Sequence, residues 1–103
     1  MDQIEKIVWT ERGIDSLESI VEFISSDSAF YASRFAKRIV QLVEALQDFP
    51  LMGRITPEFN NPSIRELIYH NYRVVYKLDR QAVYVLLVCH GMQTLPNIPH
   101  TQE

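Results

Sequence analysis

Three strand-like runs near the end of the chain constrain its fold more than any other feature. Residues 64–69, 72–78 and 82–89 are rich in β-branched and aromatic side chains, and only "HN" and "DRQ" separate them. Links this short join antiparallel neighbours, since parallel strands need a crossover of a dozen or more residues. The sequence therefore predicts a three-stranded antiparallel unit.

Two helical segments precede these strands. Thr10 is suited to cap a helix, and apolar residues follow it at spacings of three and four, which predicts a helix from Glu11 to Ser25. The turn "SSDS" follows, and Asp27 or Ser28 caps a second helix that Pro50 ends. The apolar face of the second helix is predicted to hold Phe35, Ile39, Leu42, Val43, Leu46 and Phe49. So short a link predicts an antiparallel helical hairpin.

The remaining segments complete an α+β pattern. Residues 4–9 suit a first strand, and residues 50–62 form a proline-containing connection with one short strand around residues 54–56. The order strand, helix, helix, strand, strand, strand predicts a helical hairpin on one face of a mainly antiparallel sheet. We expect residues 1–103 to form one domain whose residues 96–103 are an extended tail.

Composition excludes several kinds of protein. The net charge of −3 gives no overall positive field to attract nucleic acid, and Cys89 as the only cysteine permits neither an internal disulfide nor a multi-cysteine metal site. The charged start "MDQIEK" is unlike a signal peptide, and the sequence has no apolar run long enough to span a membrane. A cytoplasmic protein without metal or cofactor is expected.

The turn at "HN" fixes which side chains share a sheet face, because successive side chains alternate. The predicted cross-strand pairs are Tyr69 with Tyr72, Leu67 with Val74, Arg65 with Tyr76, Ile68 with Arg73 and Glu66 with Val75. The face predicted to pack on the helices holds Leu67, Tyr72, Val74, Tyr76, Val83, Val85, Leu87 and Cys89.

The opposite face mixes apolar and charged side chains, and no helix is left to cover it. It is predicted to hold Ile64, Glu66, Ile68, Arg73, Val75, Lys77, Tyr84, Leu86, Val88 and His90. In one interpretation this face is half-solvated and Glu66 pairs with Arg73 or Lys77. In the other, Arg73 and His90 form a surface for a partner or a phosphate.

Four segments together resemble the RelE/ParE toxin superfamily. They are "IVWTERGIDSLESIVEFI", "FPLMGRITPE", "IRELIYHNYRVVYKL" and "VCHGMQTLP", which cover most of residues 4–96 in the family's order. The resemblance implies a toxin of a type II toxin-antitoxin pair, encoded on a chromosome or on a plasmid that the pair stabilises. A cognate antitoxin would be its partner.

The resemblance favours the ParE-like branch, whose members inhibit DNA gyrase by binding it. RelE-like members instead cleave messenger RNA on the ribosome with several basic side chains; Arg73 matches one of these, whereas Ile64, Glu66 and Gln93 stand at the others. Many ParE-like members carry an arginine shortly after "HG", where this chain has Met92 and Gln93. A ribosome-dependent endoribonuclease and a non-toxic binding relative are the alternatives.

Four residues are candidates for contact with the target or the antitoxin: Arg54, Arg65, Arg73 and His90. Arg73 and His90 would be catalytic in the ribonuclease alternative. Each candidate also has a structural explanation: Arg54 pins the long connection, Arg65 anchors the same loop, Arg73 pairs with Glu66, and His90 makes a local hydrogen bond. Cys89 is interpreted as a small core residue and not as a nucleophile.

Overall fold

The computed structural model describes residues 3–93 and Leu95. Its elements are β1 (Lys6–Trp9), α1 (Glu11–Ser25), α2 (Ala29–Glu44), a 3₁₀ turn (Ala45–Gln47), β2 (Arg54–Ile55), β3 (Ile64–Tyr69), β4 (Tyr72–Asp79) and β5 (Ala82–His90). The predicted α+β order is confirmed, and β2 is the short strand expected in the connection. The predicted extended tail, residues 96–103, lies outside the described residues, and the division into one domain stays a prediction.

Both helices begin at the predicted caps. The Thr10 hydroxyl accepts a hydrogen bond from the Gly13 amide at 3.0 Å, and the Ser28 hydroxyl accepts one from the Tyr31 amide at 3.2 Å. Thr10 also donates to the Val85 carbonyl on β5 at 2.7 Å, which joins the start of α1 to the sheet. The helical face ends earlier than predicted, because the chain turns after Gln47 and leaves Phe49 64% exposed.

The five strands form one mixed sheet in the order β1-β5-β4-β3-β2. β1 is parallel to its neighbour β5, although the helical hairpin and β2, β3 and β4 separate the two strands in the chain, and the other pairs are antiparallel. The β3–β4 register is the predicted one at every pair, and His70 in the turn has a φ of 52°. The two-residue turn therefore fixed the register as the sequence indicated.

A β-bulge overturns part of the predicted face assignment. Val75 pairs with Leu87 but Tyr76 pairs with Val85, so Leu86 is an extra residue in β5. Beyond the bulge the alternation is shifted by one: Val88 packs in the cluster beneath the helices, while Leu87 and Cys89 pack on the other side of the sheet. The prediction that Leu87 and Cys89 face the helices was wrong for this reason.

The second face of the sheet is buried, contrary to the prediction of an uncovered face. It carries a second apolar cluster whose buried members are Ile64, Val75, Ala82, Tyr84, Leu86, Leu87, Cys89 and Leu95. Phe59 from the connection packs against this cluster, and Leu95 lies in it. The connection thus forms the layer that a helix would supply in a three-layer protein, and Glu66 and Arg73 are buried with the apolar residues.

Candidate functional site

Three of the four candidate residues meet at one end of the sheet. Arg54, Arg73 and His90 line an open cleft of about 180 Å³ beside the turn between β3 and β4. Ile68 and Met92 also line this cleft and are 53% and 88% exposed, respectively. The cleft therefore combines charged and apolar surface.

Arg73 lies at the base of the cleft and is surrounded by acceptors. Its Nε atom donates to Oε1 of Glu66 at 2.6 Å, and its two terminal nitrogens donate to the two carboxylate oxygens of Glu58, both at 2.7 Å. A further bond at 3.3 Å reaches the carbonyl of Gln93. Only 7% of the Arg73 side chain is exposed. Both edges of the guanidinium are thus occupied by carboxylates.

Glu66 joins Arg73 to the neighbouring strand. Its other oxygen, Oε2, accepts from Nε of Arg54 at 2.6 Å, and Arg54 is the direct cross-strand partner of Glu66. The Glu66 side chain is fully buried, whereas 62% of the Arg54 side chain is exposed. Arg54, Glu58, Glu66 and Arg73, hereafter the arginine–glutamate network, contain two charges of each sign.

The same contacts shift the pKa values of Glu58 and Arg73. The hydrogen bonds from Arg73 lower the pKa of Glu58 from 4.5 to about 2. The bonds to Glu58, followed by those to Glu66, raise the pKa of Arg73 further above its ordinary value, although burial opposes this change. Glu58 and Arg73 are therefore both charged at neutral pH and form an ion pair.

Arg65 lies away from the cleft and binds the connection. Its Nε atom donates to the Pro62 carbonyl at 3.0 Å, and a terminal nitrogen donates to the Gly53 carbonyl at 2.9 Å. The Tyr76 hydroxyl, buried below, donates to the Pro50 carbonyl at 2.8 Å and accepts from the Gly53 amide at 3.0 Å. These contacts agree with an anchoring role for Arg65.

His90 makes a local hydrogen bond, and Cys89 is buried. Nδ1 of the exposed His90 accepts from the Met92 amide at 3.2 Å, which is the local bond expected of a histidine at a strand end. Burial raises the pKa of the Cys89 thiol, so this cysteine is a poor nucleophile. Within residues 3–93 and Leu95, no group of three or more His, Cys, Asp or Glu residues could hold a metal ion. No helix in that part of the chain is long and apolar enough to cross a membrane.

Comparison with known proteins identifies the family. Residues 7–95 match the family model described as the ParE toxin of the type II toxin-antitoxin system parDE. The chain belongs to the ParE toxin family. This ParE-type toxin is thus one component of a toxin-antitoxin system, and its family membership implies an antitoxin partner.

Individual relatives of this ParE toxin belong to toxins or toxin-antitoxin systems, and the matches cover most of both chains. A candidate toxin, Y4kP of Sinorhizobium fredii, is 32% identical over 96 residues, covering 91% of this chain and 96% of the relative. Toxin RelE2 of Caulobacter vibrioides is 26% identical over 87 residues, covering 84% and 94%. A chain of the chromosomal ParDE system from P. aeruginosa has the same fold, with a TM-score of 0.70 at 17% identity over 86% of this ParE chain and 98% of that one.

The residue that sequence reasoning missed in this ParE toxin is Glu58. It lies 15 positions before Arg73, in a proline-containing connection without periodicity, so no local pattern links the two. The sequence offers one signal, the "PE" of "GRITPE". This dipeptide supported the family resemblance but was not interpreted as a carboxylate partner for Arg73. Glu58 converts the expected pair of Arg73 and Glu66 into a buried network.

Proposed function

We propose that this ParE toxin inhibits DNA gyrase by binding it, without catalysis of its own, and that a cognate antitoxin neutralises it. The observation that carries the proposal is the occupation of Arg73 by Glu58 and Glu66. An arginine that stabilises a phosphate must direct its N–H groups at the substrate. Here two carboxylates take those groups and would repel a phosphate. A gyrase-directed toxin would act in the cytoplasm.

The rim of the cleft suits contact with a protein. Ile68 and Met92 are exposed apolar side chains, and Arg54 lines the same cleft with most of its side chain in solvent. Arginine flanked by apolar groups is common among residues that dominate protein–protein affinity. We place the gyrase contact on this rim.

A supercoiling assay with purified gyrase tests the proposal. Micromolar toxin should inhibit supercoiling and stabilise cleaved DNA, and Arg54→Ala should weaken inhibition by about tenfold or more, because arginine is enriched among interface residues whose loss costs about 2 kcal/mol or more. Arg80→Ala is the matched control, since Arg80 is an exposed arginine in the turn at the opposite end of β4. Supercoiling that is unchanged at micromolar toxin would exclude gyrase inhibition.

The ribonuclease alternative is supported by the similarity to toxin RelE2. It requires Arg73 to reach messenger RNA, and it predicts A-site cleavage on translating ribosomes that Arg73→Ala abolishes. If messenger RNA stays intact in that assay, the ribonuclease alternative is excluded.

The third possibility is a non-toxic binding relative. Cells that express the protein without its antitoxin and still grow normally would favour this possibility over both toxins.

For the antitoxin we propose an apolar anchor at the end of α2. A groove of about 850 Å³ is lined by Ile4 and by Phe49, Leu51 and Met52, the last three being 64%, 52% and 46% exposed. The negative net charge of the toxin favours hydrophobic contact, since an acidic antitoxin segment would be repelled overall.

Leu51→Asp tests this anchor. The substitution should weaken antitoxin binding by about ten- to a hundredfold, the equivalent of exposing one large apolar side chain. Phe23→Asp is the control, because Phe23 is 74% exposed on α1 and lies outside this groove. Equal effects of the two substitutions would contradict the assignment of the groove.

A further inference from the structure

The outer faces of the two helices carry opposite charge. Asp15, Glu18 and Glu22 follow one another on α1 at spacings of three and four, so they lie on a single exposed face. On α2 the exposed charges at the corresponding level are Arg34, Lys37 and Arg38. We call these the acidic row and the basic row. Counting every charged residue of each helix, α1 carries −3 and α2 carries +2.

The two rows are not paired with each other inside the chain. The ion pairs that Arg54 and Arg73 make with Glu58 and Glu66 lie in the sheet and involve neither row. Arg38 instead contacts the side-chain amide of Gln41 at 3.4 Å, and Arg34 lies 5.8 Å from the centre of the Phe30 ring. Within the part of the chain that the structure describes, the rows are therefore available to a partner.

The geometry of the hairpin aligns the rows in height. Because α1 ends at Ser25 and the antiparallel α2 begins at Ala29, residues equally distant from the connecting turn are at the same level. Glu22 is thus level with residue 32 and Glu18 with residue 36. The acidic row spans the same section of the hairpin as the basic row.

We propose that the outer face of the hairpin binds a second copy of this chain, with α1 of each copy on α2 of the other. A two-fold axis parallel to the helices produces this arrangement, since it exchanges the two helices in position and preserves their heights. Each acidic row then faces a basic row, twice per dimer. The result is an up-and-down bundle of four helices.

Apolar groups on the same helices contribute to the contact. Phe30 and Tyr31 are 63% and 64% exposed at the start of α2, and their rings meet edge to face with centroids 5.4 Å apart. Ile14 on α1 and Val40 on α2 are exposed by 43% and 38%. Aromatic and aliphatic side chains of this kind supply the hydrophobic area that charge pairs lack.

Charge complementarity favours a second copy over nucleic acid. Neighbouring packed helices lie about 8–10 Å apart, so a duplex on the basic row would also meet the acidic row. Its phosphates would be attracted by one helix and repelled by the other. A second copy places an opposite charge against both rows at once. This proposal does not depend on the gyrase or antitoxin proposals.

Two charge-reversed variants test the proposal in sedimentation equilibrium. The first carries Asp15→Lys, Glu18→Lys and Glu22→Lys; the second carries Arg34→Glu, Lys37→Glu and Arg38→Glu. All six positions are exposed, and circular dichroism verifies that each variant folds. Arg80→Glu with Lys77→Glu is the control, since both lie on β4 or its turn, away from the hairpin.

The unmodified toxin should reach twice its monomer mass of 12.0 kDa at high concentration and low salt, and its dissociation constant should rise by about tenfold or more in high salt. Each triple variant alone should stay monomeric, because like charges then face each other. An equimolar mixture of the two should form a heterodimer, and the control should behave as the unmodified toxin does.

Either of two results would overturn the proposal: an unmodified toxin that stays monomeric at low salt, or a mixture of the two variants that fails to associate. If the unmodified toxin is monomeric and only the second variant loses antitoxin affinity, the basic row binds an acidic segment of the antitoxin instead. Retained gyrase inhibition by monomeric variants would separate this outcome from failure of the proposed function.

Discussion

Oε1 of Glu66 lies 2.6 Å from both Nε and a terminal nitrogen of Arg73, and neither side chain is more than 7% exposed. Two charges buried this deeply lose most of their hydration, so each depends on the other. The pair links β3 to β4, and Arg73 also binds Glu58 of the connection. Replacing Glu66 alone and replacing both residues of the pair should therefore change stability by different amounts.

Glu66→Ala should lower the free energy of unfolding by about 3–5 kcal/mol, because it leaves Arg73 buried with one carboxylate and deprives Arg54 of its partner. Urea unfolding followed by circular dichroism measures the change. Glu44→Ala on the exposed surface of α2 is the control and should change stability by less than about 0.5 kcal/mol. A loss below about 1 kcal/mol for Glu66→Ala would contradict the burial of this pair.

Combining Glu66→Ala with Arg73→Met should destabilise the protein less than the sum of the two single changes. The double variant removes both charges, whereas each single variant leaves the other charge buried with one partner fewer: Arg73 with Glu58, or Glu66 with Arg54. A thermodynamic cycle from urea unfolding gives the coupling between the two residues, which should be about 1–3 kcal/mol. Strict additivity would indicate that the two side chains do not depend on each other.

Stability should fall in acid over a window that Glu58 defines. Its pKa is about 2 in the folded protein against an ordinary value of 4.5, so the ionised form is stabilised by folding. This contribution is complete above pH 4.5 and is lost as the pH falls towards 2. Glu58→Gln should therefore have a flatter profile of unfolding free energy in this window, and the two proteins should converge as the pH approaches 2. Parallel profiles would contradict the salt bridge to Arg73.

Gly13→Ala should destabilise the protein although alanine is the better helix former. A Cβ at residue 13 would overlap the carbonyl oxygen of Val85, where Thr10 also binds β5. The cost of displacing α1 is about 1–3 kcal/mol, which exceeds the gain of about 1 kcal/mol in helix propensity. Thermal unfolding measures the change. Ser19→Ala, an exposed site on the same helix, should be neutral or slightly stabilising.

Tyr76→Phe should loosen the start of the connection. The substitution leaves the Pro50 carbonyl and the buried Gly53 amide without their partner, which costs about 1–3 kcal/mol. Hydrogen exchange should show faster exchange at the Gly53 amide before any change in the helices. Tyr31→Phe at an exposed site is the control, and equal exchange at Gly53 in both variants would argue against this anchoring bond.

The sequence predicted well wherever local chemistry determines structure. Thr10 and Ser28 satisfy orphan amides at the two helix starts, and the two-residue turn at His70 fixes six successive pairs of β3 and β4. The antiparallel pairing of β3, β4 and β5 followed from the short links between them. These features depend on residues within a few positions of one another, so a pattern can reveal them.

Features that depend on distant residues were not predictable in this way. A bulge opposite Val75 and Tyr76 shifted Leu87 and Cys89 to the other face, and no glycine or proline in β5 signals it. The contacts of Arg73 include Glu58 from the connection, and Phe59 from the same segment packs against the second apolar cluster. The sequence pattern did not predict that the connection packs on the sheet, so the second face of the sheet was expected to be exposed.

Side chains of β3 and β4 hydrogen-bond to the connection between α2 and β3 at several points along its length. Tyr76 holds it at Pro50 and Gly53, Arg65 holds it at Gly53 and Pro62, and Arg73 holds it at Glu58. A loop that is bound at several points cannot change its length without losing one of these hydrogen bonds. Insertions and deletions should therefore be excluded from functional variants between residues 50 and 62.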